Sequence, residues 1–205
     1  MKILIVSATE AEGFRVAGSG FRVALESIIT GVGMTNTALQ LGKYFGAGNK
    51  PDLAINLGLA GSFFKDIRIK QVVNVTSDHF SELGAEDGDD FLPIDALELG
   101  KAAITPQIPF KNAVIDKLPI VHGITVNTVH GEEKSIERVF ERYHPFVETM
   151  EGAAFFMACN EFNIPCVQLR AISNYVERRD KSKWDIPGAL KNLHLKAQEL
   201  LHSLA

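Results

Sequence analysis

The chain has 205 residues, 46% hydrophobic and 22% charged, enough to bury one sizeable core and unlike a disordered or collagen-like composition. A net charge of -4, with Lys and Arg scattered apart from the run Arg178-Arg179-Asp180-Lys181, argues against a nucleic-acid partner. No segment approaches the ~20 uninterrupted apolar residues that cross a bilayer, the opening aliphatic run is too short for a secretory signal, and Cys159 and Cys166 lack zinc-site or disulfide-framework spacing.

Met1 to Ser7 reads as a strand: Ile3, Leu4, Ile5 and Val6 form the continuous apolar run expected where helices cover both faces of a sheet. Phe21 to Thr30 reads as a second strand, running into Gly31-Val32-Gly33, after which Ala38, Leu39, Leu41, Tyr44 and Phe45 recur at helical spacing. Leu53 to Leu57 is a third strand, leading into a glycine turn from Gly58 to Gly61, and Gln71 to Thr76 a β-branched fourth. The acidic, glycine-containing stretch Glu82 to Asp90 reads as a loop. Ile120 to Val129 follows as a strand, Glu132 to Tyr143 as a charged surface helix, and Phe146-Val147 as a short strand. Then come an unusually apolar helix from Gly152 to Phe162, a strand from Pro165 to Ile172, and a C-terminal helix from Asp185 with Pro187 in its first turn. The alternation predicts an α/β fold: one domain over residues 1–205, with a central, mixed and mostly parallel sheet flanked by helices. It places ligand chemistry at the carboxyl ends of strands.

Several polar residues fall at those ends. Singly, Glu12 reads as a surface acid, Arg170 as a buried ion-pair partner and Asn174 as a loop residue or helix cap. Glu151 is sharper, because it opens a helix that must be largely buried. Either the helix dipole favours an acid there, or a carboxylate is held at the mouth of a pocket.

As a set, Ala8-Thr9-Glu10-Ala11-Glu12, Thr30-Gly31-Val32-Gly33, Asn56-Leu57-Gly58-Leu59-Ala60-Gly61, Met150-Glu151-Gly152-Ala153-Ala154 and Arg170-Ala171-Ile172-Ser173-Asn174 resemble the purine nucleoside phosphorylase and nucleosidase superfamily. The resemblance is to the methylthioadenosine/S-adenosylhomocysteine nucleosidases and to futalosine hydrolase in particular. It implies cleavage of an N-ribosyl bond through an oxocarbenium-like transition state, in which Glu12 activates water beside Arg170. Met150 and Glu151 would hold the ribose, Ala60 and Gly61 would border the substrate, and Asn174 would meet the base. It implies no metal and no organic cofactor, a small-molecule nucleoside as partner, and a homodimer or higher homo-oligomer; the lack of a secretory or membrane-spanning pattern in the sequence is what points to a cytoplasmic location.

Two departures from the adenine-specific relatives bear on the substrate. They carry an Asp where this chain has Asn174, and an amide can donate to a carbonyl at O6 while accepting from a protonated N7. That favours a 6-oxopurine such as hypoxanthine. The segment from Ser81 to Asp89 is similar to that of futalosine hydrolase, with a solvated acidic loop as the other reading, and its acids receive no individual roles. Phosphorylases of the superfamily place an Arg before the glycine turn, where Ile55-Asn56-Leu57 has no basic residue, so hydrolysis is expected over phosphorolysis. The implied reaction is futalosine plus water giving hypoxanthine and dehypoxanthine futalosine, a step toward menaquinone.

Alternatives are an adenine-type nucleosidase acting on aminofutalosine or methylthioadenosine, and a non-catalytic nucleoside-binding module. A dinucleotide-binding protein fits poorly, because the third glycine of that fingerprint falls at Asn36. The segment from Glu12 to Phe21 is short, so Arg15 and Arg22 receive no role. His130 reads as either a surface histidine or a ligand contact, and Trp184 as a packing residue or a cover for the base.

Overall fold

The computed structural model describes residues 1–14 and 23–204. Among them the strands are β1 (Lys2–Ser7), β2 (Ala24–Ile29), β3 (Leu53–Ser62), β4 (Val72–Phe80), β5 (Gly84–Asp87), β6 (Asp90–Pro93), β7 (Ala103–Ile104), β8 (Ile120–Thr125), β9 (Val147–Thr149) and β10 (Cys166–Tyr175). The helices are α1 (Met34–Gly46), α2 (Glu133–Tyr143), α3 (Gly152–Glu161) and α4 (Ile186–His202). Every strand except β5 and β6 joins one sheet, and β1–β2, β1–β3, β3–β10, β4–β8 and β8–β9 pair in parallel. The β4–β10, β3–β9 and β4–β7 pairs are antiparallel, so the sheet is mixed and mostly parallel.

The apolar run of β1 has a two-sided explanation. Leu4 and Val6 pack with Leu41 and Phe45 of α1 and Phe155 and Phe156 of α3, whereas Ile3 and Ile5 pack with Leu193, Leu200 and Leu201 of α4. A strand covered on both faces has no polar positions to spare. At roughly 1.5–3 kcal/mol for each fully buried aliphatic side chain, these two clusters hold the layers together. Cys159 and Cys166 are free and buried, and burial holds the Cys159 thiol above its ordinary range.

The sheet departs from the sequence reading by closing on itself. β10 pairs along β3 from Ala54 to Ser62 and also pairs with β4, so β3, β10, β4, β8 and β9 form a five-stranded ring with β1 and β2 as an extension. Two strand ends move as a result. Gly58 to Gly61 is not a turn: it is the second half of β3, which continues to Ser62 because β10 and β9 pair with it there. β10 likewise runs through Ser173 and Asn174 to Tyr175. The strand expected over Ile120 to Val129 stops at Thr125, where its parallel pairing with β4 and β9 ends.

The stretch Glu82 to Asp90 is not a loop. β5 and β6 form a hairpin whose two-residue turn is Gly88-Asp89, with Gly88 at φ 65°, a conformation suited to a tight hairpin. Every residue of β5 is exposed, so the strand lacks the alternation that would announce it, while Phe91 lies 4.0 Å beneath the Arg142 guanidinium of α2. Arg15, Arg22 and the start of the strand expected from Phe21 lie outside the described residues. No helix among the described residues is long and apolar enough to cross a membrane.

Candidate active site

Glu12 follows β1 in a turn that fixes its carboxylate. The spacing Thr9-Glu10-Ala11-Glu12 makes a reciprocal pair: the Glu12 N–H donates to Thr9 Oγ1 at 3.3 Å, while Thr9 N and Oγ1 donate to Glu12 Oε2 at 3.1 and 2.8 Å. The other oxygen, Oε1, accepts the Leu59 N–H of β3 at 3.0 Å. A half-buried acid with both oxygens held is unlike a free surface carboxylate.

Glu151 stands at the cap of α3, but its side chain makes no cap hydrogen bond. The N–H groups of that first turn are met by threonines instead, Gly152 N donating to Thr149 Oγ1 at 3.2 Å and Ala153 N to Thr125 Oγ1 at 2.8 Å. The Glu151 carboxylate is thereby released to reach across the molecule. Its Oε1 accepts the Gly33 N–H at 3.0 Å, and its Oε2 lies 3.6 Å from Arg170 Nη1. Gly33 has φ 98°, a backbone that a side-chain-bearing residue adopts at a cost, and this aims its N–H at the carboxylate.

Arg170 is 1% exposed and sits behind β3, its Nη2 donating to Asn56 Oδ1 and, at 3.3 Å, to Gln168 Oε1. It fits only because position 58 is glycine: a Cβ there would lie 1.9 Å from Arg170 Nη1 and 3.3 Å from Glu12 Oε1. Gly58 is therefore the point where the arginine and the carboxylate approach each other. Arg170 meets the reading as a buried ion-pair partner, with Glu151 as the acid, but it does not line the open cavity.

Behind Arg170 the buried polar chain continues. Gln168 Nε2 donates to Asp78 Oδ2 at 3.1 Å, and Thr125 Oγ1 donates to Asp78 Oδ1 at 2.8 Å. Burial is the main influence on Asp78 and pushes its carboxyl up to about 6, against those hydrogen bonds and the Arg170 charge, which act to lower it.

A cavity of about 430 Å³ opens in front of these groups, and Glu12, Ala60, Gly61, Met150, Glu151 and Asn174 all line it. That is within the usual range for a small-molecule site. Asn174 accepts from Ser173 Oγ at 2.7 Å and donates to the Tyr175 carbonyl at 3.0 Å. One amide N–H and one lone pair remain uncommitted.

Sequence reasoning missed one pair. Glu148, 5% exposed, accepts the His130 N–H at 3.0 Å and pairs with His130 Nδ1, and both residues line the cavity. Gly61 pairs in register with Glu148 on one side and Asn174 on the other, so the two polar side chains flank a bare glycine. The repeated acid in Glu148-Thr149-Met150-Glu151 was the available signal, since a three-residue strand cannot point two acids three positions apart at one face without a helix start between them. Among the described residues no group of three or more His, Cys, Asp or Glu side chains is arranged to hold a metal ion.

A mixed, mostly parallel sheet with a cavity lined by carboxylates at its strand ends makes this an α/β protein with a small-molecule type of site. The chain belongs to the phosphorylase superfamily, whose profile matches residues 16–205. It is similar to the futalosine hydrolase of Thermus thermophilus, 31% identical over 190 residues that cover 90% of this chain and 82% of that protein. It is 34% identical over 149 residues to the futalosine hydrolase of Acidothermus cellulolyticus, covering 69% of this chain and 58% of that relative, less than two thirds of its length. Among solved structures, the 5′-methylthioadenosine/S-adenosylhomocysteine nucleosidase of Helicobacter pylori shares the fold with a TM-score of 0.76 and 18% identity, over 99% of this chain and 97% of that one.

Proposed function

We propose that this chain is an N-ribosyl hydrolase that cleaves futalosine with water to hypoxanthine and dehypoxanthine futalosine, serving the futalosine route to menaquinone. The observation that carries the reading is that one cavity joins a doubly held Glu12 to Glu151 and to Asn174. Identity of 31–34% to proteins named futalosine hydrolase supports it.

In this mechanism the bond between the ribosyl carbon and the purine nitrogen breaks and its electron pair leaves with the base. Water attacks the ribosyl carbon and gives its proton to Glu12, which Leu59 N–H and Thr9 hold in place. Glu151 accepts hydrogen bonds from the ribose hydroxyls on lone pairs left free by Gly33 and Arg170. The base takes a proton from the medium at N7. Asn174 then accepts from N7–H and donates to O6, so an adenine, with an amino group at that position, would leave the amide donor unpaired. Positive charge developing on the ribose is larger in the transition state than in the ground state, so the two carboxylates lower the barrier rather than merely binding.

Residues 1–205 act as one domain in this reading, in the cytoplasm and as a homo-oligomer. Exposed Leu83 and Met157 support the last point: with Met34 and Phe80 they line an apolar pocket of about 290 Å³ that a second copy would cover.

The test is to incubate the purified protein in phosphate-free buffer with futalosine, aminofutalosine, methylthioadenosine and inosine separately, and to quantify the released base by chromatography. Hypoxanthine from futalosine is expected. Release of adenine alone would overturn the role given to Asn174, and no release with or without added phosphate would favour a binding module.

A further inference from the structure

The cavity wall is electrically lopsided. Glu12, Glu148, Glu151 and Glu177 all line it, and among the described residues Arg179 is the only Lys or Arg that does. Each acid already has a partner: Glu12 the Leu59 N–H, Glu148 the His130 ring, Glu151 the Arg170 guanidinium, and Glu177 the Lys183 ammonium at 3.1 Å. Arg179 has no carboxylate within ion-pair distance among the described residues; its guanidinium lies over the Trp184 ring, 4.9 Å from the centroid.

Its backbone is anchored rather than loose. The Arg179 N–H points at the Gly131 carbonyl, and a Cβ at Gly131 would stand 3.3 Å from Arg179 Cβ, so the segment after β10 docks on the segment after β8. The side chain is exposed yet lines the cavity, which puts it at the rim. A guanidinium lying on an indole keeps its edge N–H groups free for bidentate contact with a planar anion.

Among the described residues Arg179 is thus the cation at this acidic cavity that no carboxylate engages, and an anionic ligand finds its counter-charge there. We infer that Arg179 binds the terminal carboxylate of the substrate, so that the site selects nucleosides whose 5′ end is extended to an acid over neutral nucleosides with the same base. This rests on the proposed function, since futalosine is a hypoxanthine nucleoside extended to an aryl carboxylate. Arg170 cannot serve instead, being sealed behind β3. The exposed position also means that removing the charge leaves the core untouched.

The experiment measures binding by calorimetry, on a Glu12→Gln background that does not consume the ligand, with futalosine and its neutral methyl ester as probes. With Arg179 present the acid is expected to bind at least about tenfold tighter than the ester, a preference erased by Arg179→Gln and partly kept by Arg179→Lys. Ester binding should be unchanged in all three. An acid-to-ester ratio near one with Arg179 present, a ratio that survives Arg179→Gln, or no binding of futalosine at all would overturn the assignment. If the wild-type protein binds futalosine through Arg179 but releases no hypoxanthine from it, the hydrolytic reading fails and the carboxylate site stands.

Discussion

Two cavities of similar size share a wall at His130. One, of about 430 Å³, holds Glu12, Glu151 and Asn174; the other, of about 460 Å³, lies under the β5–β6 hairpin and is lined by Glu86, Asp89, Asp90, Arg138 and Arg142 among others. Both are rich in carboxylates, so neither size nor acid content separates them. What separates them is how the acids are held. Glu12 and Glu151 are fixed by backbone N–H groups from other parts of the chain while half-buried and buried, whereas Glu86, Asp89 and Asp90 are exposed, and Glu82, although it accepts the Asn127 N–H, is exposed as well. A carboxylate pre-positioned by fixed donors costs nothing to organise when charge develops beside it. One left in water must be organised each time.

The sharpest way to break that contrast is Glu12→Gln. The amide keeps an acceptor for the Leu59 N–H but cannot take a proton from water, so kcat for base release should fall by roughly 10²–10⁴-fold. Binding of the substrate should change far less. A loss confined to KM, read by steady-state hypoxanthine release, would remove Glu12 from the chemistry.

Arg170→Met tests the support rather than the site. It leaves Glu151 buried without its counter-charge and strips donors from Asn56 and Gln168. Breaking a buried pair from one side costs about 3–5 kcal/mol, and a urea titration should show a loss of that order. Its double variant with Glu151→Gln should recover part of it, because the uncompensated charge is gone.

Much of this architecture was legible in the residues, and the exceptions share a cause. The two-sided burial of β1, the Gly31-Val32-Gly33 entry into α1 and the apolar α3 follow from local pattern, and Glu12, Glu151 and Asn174 do meet at one cavity. Closure of the sheet does not show in the sequence, because it depends on β10 pairing with β3 more than a hundred residues away. For the same reason Gly58 and Gly61 resemble turn residues, when Gly58 makes room for the guanidinium of a distant strand. The Glu148–His130 pair depends on β9 lying beside β8, and Arg179 stands at the cavity because the chain after β10 docks on Gly131. Local periodicity carries no trace of such contacts.

Asp78 sharpens the comparison by pH. Its carboxyl sits at about 6 through burial, above the ordinary 3.8, so ionised Asp78 destabilises the fold. That penalty is complete above pH 6 and is relieved as the pH falls through 6 toward 3.8. Relative to Asp78→Asn, which does not titrate, the wild-type protein should gain about 1 kcal/mol between pH 7 and pH 5. Urea midpoints of the two proteins at both pH values read the difference directly. A gap that stays constant, or that moves the other way, would place Asp78 in a wetter setting than its position beneath Gly152 implies.

The smallest effect is expected at the hairpin, and its smallness is the point. Glu86→Gln with Asp89→Asn removes two charges from the wall of the second cavity while leaving the Gly88 turn and the Phe91–Arg142 contact in place. Exposed substitutions of this kind fall within about 0.5 kcal/mol in stability, and kcat/KM for hypoxanthine release should stay within about twofold of wild type. Glu82 is left unchanged because it accepts from Asn127 N and Nδ2 at 3.2 and 2.9 Å, tying the hairpin to the segment after β8. A fall in kcat/KM of tenfold or more in the double variant would show that the hairpin acids act on the reaction across the shared His130 wall, and that being held by buried donors is not what separates the two cavities.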